Sequence, residues 1–185
     1  MIKIIAGGKK HERWLEEAIS EYEKRLQHTP YSLVWEFIEE EKLIKKLETS
    51  WPFSGRDYVI ICDERGKNIS SDEYSILLQN AFISSKNVII LIGGAFGFPP
   101  EIREKADFLW SFSKLVFPHQ IARLLVAEQT YRAYEIQRGS HYHHAGHGVI
   151  GVCGANGNLI ARILKQRGYN VIGTDLTFKK DCKFA

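Results

Sequence analysis

The chain has 185 residues, a formal net charge of +3, 44% hydrophobic and 25% charged residues. That length fits one domain with a small appendage and is enough to bury a core. The weak positive charge permits a nucleic-acid partner without arguing for one. No apolar run approaches the ~20 residues a bilayer-spanning helix needs. The opening residues, Met1 to Gly8, are too short for a signal peptide and read as a first strand. The expected location is the cytoplasm. Cys62, Cys153 and Cys182 are odd in number and far apart, which gives neither a disulfide framework nor a CxxC metal pair.

In chain order, residues 2–6 form a short buried strand that ends on Gly7-Gly8. Trp14, Leu15, Ala18, Ile19, Tyr22 and Leu26 recur at helical spacing, and Pro30 closes that helix. Residues 31–38 read as a second strand and 39–48 as a charged helix broken at Trp51-Pro52. Residues 58–63 are apolar enough for a strand buried on both faces, with Glu64-Arg65-Gly66-Lys67 as its exit turn. Ser70 and Glu73 have capping-box spacing ahead of a helix carrying Tyr74, Leu77, Leu78 and Phe82. Residues 88–92 are the fourth strand, and Pro99-Pro100-Glu101 starts a short helix. Residues 108–113 lead into a fifth strand-like segment at 114–117. The longest helix runs from His119 to Arg138 and stops at Gly139. Strands alternating with helices predict an α/β fold with a mostly parallel sheet.

In such sheets ligands bind beyond the C-terminal strand ends. Gly93-Gly94 sits at one such end, where glycine lets a ligand approach the backbone. A second loop, Phe112 to Gln120, holds Ser113, Lys114 and the rigid Phe117-Pro118 turn before the long helix. Its exposed amides suit a polar ligand. Each feature alone is compatible with a plain structural turn.

Three blocks change that weighing: Leu91-Ile92-Gly93-Gly94-Ala95-Phe96-Gly97, the run from Trp110 to Arg123, and Glu128-Gln129-Thr130-Tyr131-Arg132-Ala133 followed by His141-Tyr142-His143. Together they resemble the RlmH family of SPOUT-class methyltransferases, which act on 23S ribosomal RNA at N3 of a pseudouridine. The resemblance covers residues 1 to about 144. It implies helices on both faces of the sheet, a C-terminal trefoil knot, a homodimer with its active site at the interface, and work on the assembled ribosome. It also implies bound S-adenosylmethionine and no metal. Carried over by position, the cofactor contacts fall on Cys62, Gly93, Gly94, Phe112, Ser113, Lys114, Leu115, Val116 and Phe117. The family has an aliphatic residue where Cys62 stands, a change that backbone contacts survive. His119, Glu128 and His143 are the candidates to take or orient the imide proton. Arg123, Arg132, Tyr142 and His143 are the candidates to touch RNA, with Arg123, Arg132 and Lys114 suited to phosphate or the cofactor carboxylate. A simple i,i+4 ion pair between Glu128 and Arg132 competes with a functional role for either. His144 stands where the family commonly has arginine or lysine.

His141, His143, His144 and His147 invite a metal reading, but no carboxylate or cysteine accompanies them. Beyond His144 the chain departs from the family. Residues 145–185 lay out a strand, the glycine turn around Gly154 and Gly157, a helix, and a second strand ending on Asp175. That resembles the opening βαβ unit of a Rossmann-type domain, as in an epimerase or a Mur ligase, without the further strands a binding crevice needs. Two other functions stay open at this point: a non-catalytic ribosome-binding protein of the same fold, and a nucleotide-binding fusion fragment.

Overall fold

The computed structural model describes residues 1–94 and 96–140. His141, Tyr142, His143, the other histidines of that run and the extension 145–185 lie outside the described residues.

The elements are β1 (Ile2–Gly7), α1 (Arg13–Leu26), β2 (Leu33–Ile38), α2 (Glu40–Thr49), β3 (Asp57–Asn68), α3 (Ser71–Ile83), β4 (Asn87–Ile92), α4 (Pro100–Arg103), β5 (Phe108–Ser111) and α5 (His119–Gln137). The five strands form one sheet in the order β2-β1-β4-β3-β5. Every pairing is parallel.

The sheet is apolar on both faces because both faces are covered. Ile2, Ile4, Ile60, Val88, Ile90 and Ile92 point to one side, where Tyr74 and Leu78 of α3 and Val126 and Ala133 of α5 complete the core. Ile5, Val59, Ile61, Ile89 and Leu91 point to the other, against Leu43 and Leu47 of α2 and Ile102 of α4. Helix α1 lays Leu15 and Ile19 on Ala127 of α5. The capping box forms as its spacing predicts: Ser70 Oγ accepts from Glu73 N, and the Glu73 carboxylate accepts from Ser70 N. Gly139 takes a φ of +68° just past α5, a left-handed position that suits glycine.

Two segments differ from the sequence reading. Residues 64–67 are not a simple exit turn, because β3 continues to Asn68. Cys62 and Lys67 both register on Trp110, so the residues between them bulge out of the ladder. Gly66 permits this, since a Cβ there would lie 2.5 Å from Leu109 O. The fifth strand is Phe108–Ser111, and residues 114–117 form a loop. Ser111 Oγ donates to Ser113 O, and Ser113 Oγ accepts from Leu115 N. These bonds turn the backbone out of the ladder.

The connectivity sets where a ligand can bind. β4 feeds α4 on one face of the sheet, while its neighbours β1 and β3 feed α1 and α3 on the other. Loops leaving in opposite directions open a crevice on each side of the β4 C-terminus.

Candidate active site

The crevice on the β3 side is a cleft lined by Cys62, Asp63, Glu64 and Arg65, by Gly93, Gly94, Phe96 and Gly97, by Ser111, Phe112, Ser113, Leu115, Val116 and Phe117, and by His119 and Ala122. A second hollow lies beneath α2, among Ile5, Leu43, Leu47, Phe53 and Ile89. None of the glycine-turn or 112–117 loop residues lines it, so the cleft at the glycine turn is the better ligand site.

The glycine turn is built by close packing. A Cβ on Gly93 would lie 2.8 Å from Gly97 Cα, and one on Gly7 would lie 3.1 Å from Gly94 N. Backbone therefore forms this wall, and a ligand meets amide and carbonyl groups directly. The opposite wall is held from behind by aromatic contacts. Tyr74 stacks on Trp110 at 4.1 Å, and Trp110 meets Phe112 edge-on at 4.7 Å. Asn68 Nδ2 donates to Ser111 O, which ties the loop to the end of β3.

Burial pushes the Cys62 thiol well above its ordinary range, helped by the charge of Asp63. Cys62 is thus a neutral wall residue and not a nucleophile. Asp63 sits with its side chain only 4% exposed, between Arg65 at 3.5 Å and Arg103 at 3.8 Å. Phe96, Leu115 and Val116 stand exposed at the rim.

His119 opens α5 immediately after Pro118 and faces the cleft half-buried. Burial, and secondarily the charge of Arg123, push its imidazole below the ordinary value, while Glu40 and Glu12 pull the other way. Neutral imidazole is the form that accepts a proton.

Of the expected site residues, Cys62, Gly93, Gly94, Phe112, Ser113, Leu115, Val116, Phe117 and His119 meet at this cleft. Lys114 belongs to the same loop but does not line the cleft. Glu128 does not line it either; its carboxylate accepts from Gln129 Nε2 at 2.6 Å and from Arg132 Nε at 3.0 Å. Arg132 thus forms the i,i+4 pair with Glu128. The expected RNA contact from Arg123 does not fit its placement. Arg123 is fully buried, and its guanidinium donates to Gly7 O at 2.9 Å and Lys9 O at 3.0 Å. Its work here is to fasten the loop after β1 from below. Tyr142 and His143 lie outside the described residues.

Sequence reasoning missed Asp63, Glu64, Arg65, Phe96 and Gly97. Asp63 offered a signal: charged residues directly after a doubly buried strand lie where such sheets bind ligands.

The chain matches the family described as Predicted SPOUT methyltransferase over residues 1–143. It is 37% identical to the Ribosomal RNA large subunit methyltransferase H of Desulfitobacterium hafniense (strain Y51), covering 77% of this chain and 98% of that protein. The protein of the same name from Carboxydothermus hydrogenoformans is 40% identical, over 77% of this chain and 98% of the relative. Among solved structures, a probable methylase family protein from Haemophilus influenzae Rd KW20 superposes with a TM-score of 0.48 at 14% identity, over 91% of this chain and 81% of that one. The chain belongs to the SPOUT methyltransferase family. Within it, the relatives with which it shares most of its length carry the name Ribosomal RNA large subunit methyltransferase H.

Proposed function

We propose that this protein is an S-adenosylmethionine-dependent methyltransferase that methylates N3 of a pseudouridine in 23S ribosomal RNA. It acts in the cytoplasm, as a homodimer, on the assembled ribosome. The observation that carries this reading is the cleft: nine residues expected to surround the cofactor or the reacting base converge on one wall-and-loop arrangement. The near-complete match to rRNA methyltransferases supports the substrate.

The residues present fit this cofactor. The walls are backbone and uncharged side chains at the glycine turn and the 112–117 loop, and the acidic residues Asp63 and Glu64 beside them are paired with Arg65. Gly93, Gly94 and residues 112–117 would hold S-adenosylmethionine. When bound, it supplies the methyl group and its own leaving group. The chain's share is to orient the two reactants and to take the proton that N3 gives up as the new N–C bond forms. His119 is the base we assign, because it lines the cleft and burial favours its neutral imidazole. Gln129 and Arg132 hold Glu128 away from the cleft, which makes it the weaker choice within one protomer. Tyr142 and His143 are the RNA contacts that the family resemblance implies. Exposed Phe96, Leu115 and Val116 at the rim support a second copy covering the cleft mouth. The trefoil knot belongs to the same reading. Residues 1–144 are the methyltransferase domain and 145–185 an incomplete Rossmann-like appendage.

Calorimetry on the full chain tests the cofactor assignment. S-adenosylhomocysteine should bind and NAD should not. Binding of NAD in place of S-adenosylhomocysteine would move the function to the extension, and binding of neither would favour a non-catalytic ribosome-binding protein.

A further inference from the structure

Glu40 is the first residue of α2, yet its carboxylate is folded back against the glycine turn. It occupies the space that a side chain on Gly94 would need. Its Oε1 is buried and accepts no hydrogen bond. None of the ion pairs among the described residues involves it, although Glu39 beside it pairs with Lys42 at 2.6 Å. The charges that face this corner are His119 from the start of α5, with Arg123 one turn on and Glu12 ahead of α1. Arg123 aims its two terminal nitrogens at Gly7 O, Lys9 O and Gln120 Oε1, and its unpaired Nε makes no hydrogen bond to Glu40. A buried carboxylate oxygen with no donor is destabilising. Such a group persists where a ligand supplies the donor.

The cleft runs from the 112–117 loop beside β5 to the Gly93–Gly94 turn at β4. Glu40 does not line it; its carboxylate packs against Gly94 directly behind the turn, close enough to act on the charge of His119, which does line it. A ligand whose ring end lies at the loop brings its other end to the turn. In S-adenosylmethionine that other end is an amino acid, whose ammonium group carries a positive charge and three N–H donors. We propose that Glu40 binds the α-ammonium group of the cofactor. This rests on the cofactor reading above and adds a charged side-chain contact to a site otherwise made largely of backbone. It also explains the glycine at 94: any larger residue would displace the carboxylate.

Calorimetry with two ligands tests it on the full chain. S-adenosylhomocysteine keeps the ammonium, whereas 5′-methylthioadenosine lacks the whole amino-acid end. Glu40→Gln should weaken S-adenosylhomocysteine by about tenfold or more, the size expected for losing a charge-assisted hydrogen bond. It should leave 5′-methylthioadenosine nearly unchanged. Glu40→Asp, with the charge on a shorter arm, should recover part of the loss. Equal weakening of both ligands, or of neither, would overturn the proposal while leaving the cofactor reading intact. Failure of the wild-type chain to bind either ligand would overturn both.

Discussion

Arg123 is the largest fully buried side chain among the described residues, and it is charged. A buried guanidinium is costly unless most of its donors find partners. Here the two terminal nitrogens span Gly7 O and Lys9 O, Nε stays unpaired, and Cζ lies 5.3 Å from the Phe37 ring centroid. Arg123→Met should lower the unfolding free energy by about 3 kcal/mol, read from urea denaturation, because two carbonyls lose their donor. Arg123→Lys should recover little, since an ammonium cannot copy the fork. His11 sits under the same loop, edge-on to Trp35 at 4.6 Å and Phe37 at 4.9 Å, with both ring nitrogens buried and unpaired. Burial, and then the charge of Arg123, push its pKa from 6.5 down to about 4. Between those values the unfolded chain binds a proton that the folded chain refuses. Stability therefore falls as the pH drops from about 6.5 to about 4, then loses nothing more from this group. Thermal melts of wild type and His11→Phe across that range should diverge, with the variant flatter.

At the scale of elements, Ser70 was legible because a capping box is local: two side chains bond two amides within three residues. Ser70→Ala should cost about 1 kcal/mol in the same denaturation assay. The 114–117 segment was misread for the opposite reason. Leu115 and Val116 have strand-like character, but they are exposed at the rim, and nothing in the pattern says whether an apolar pair faces a core or a second surface. The bulge after Cys62 was also hidden. It exists because β3 pairs β5 twice through Trp110, a contact between residues far apart in sequence. The glycine turn was legible as a turn, but its tightness was not, because it depends on Gly97 folding back over Gly93. Gly93→Ala should force those atoms apart and weaken S-adenosylhomocysteine binding by roughly tenfold or more, with the fold retained in circular dichroism.

For the whole molecule, the alternation of strands and helices predicted the sheet, and two apolar faces predicted layers on both sides. Strand order was not readable, because nothing local tells β1 to insert between β2 and β4. That order is what opens crevices on both sides of the β4 end and puts His119 and Glu40 at one corner. Of the candidate site, the residues that line the cleft were legible through short motifs. The buried use of Arg123 was not, since an arginine on a helix reads the same on a surface as in a core. The central claim is methyl transfer to one pseudouridine. Its most direct measurement is transfer of labelled methyl from S-adenosylmethionine to 70S ribosomes lacking this modification, using the full chain and a chain ending at His144. Label should appear in 23S RNA alone, located by mass spectrometry at N3 of a single pseudouridine. No label from either chain, or label on another base, would contradict it.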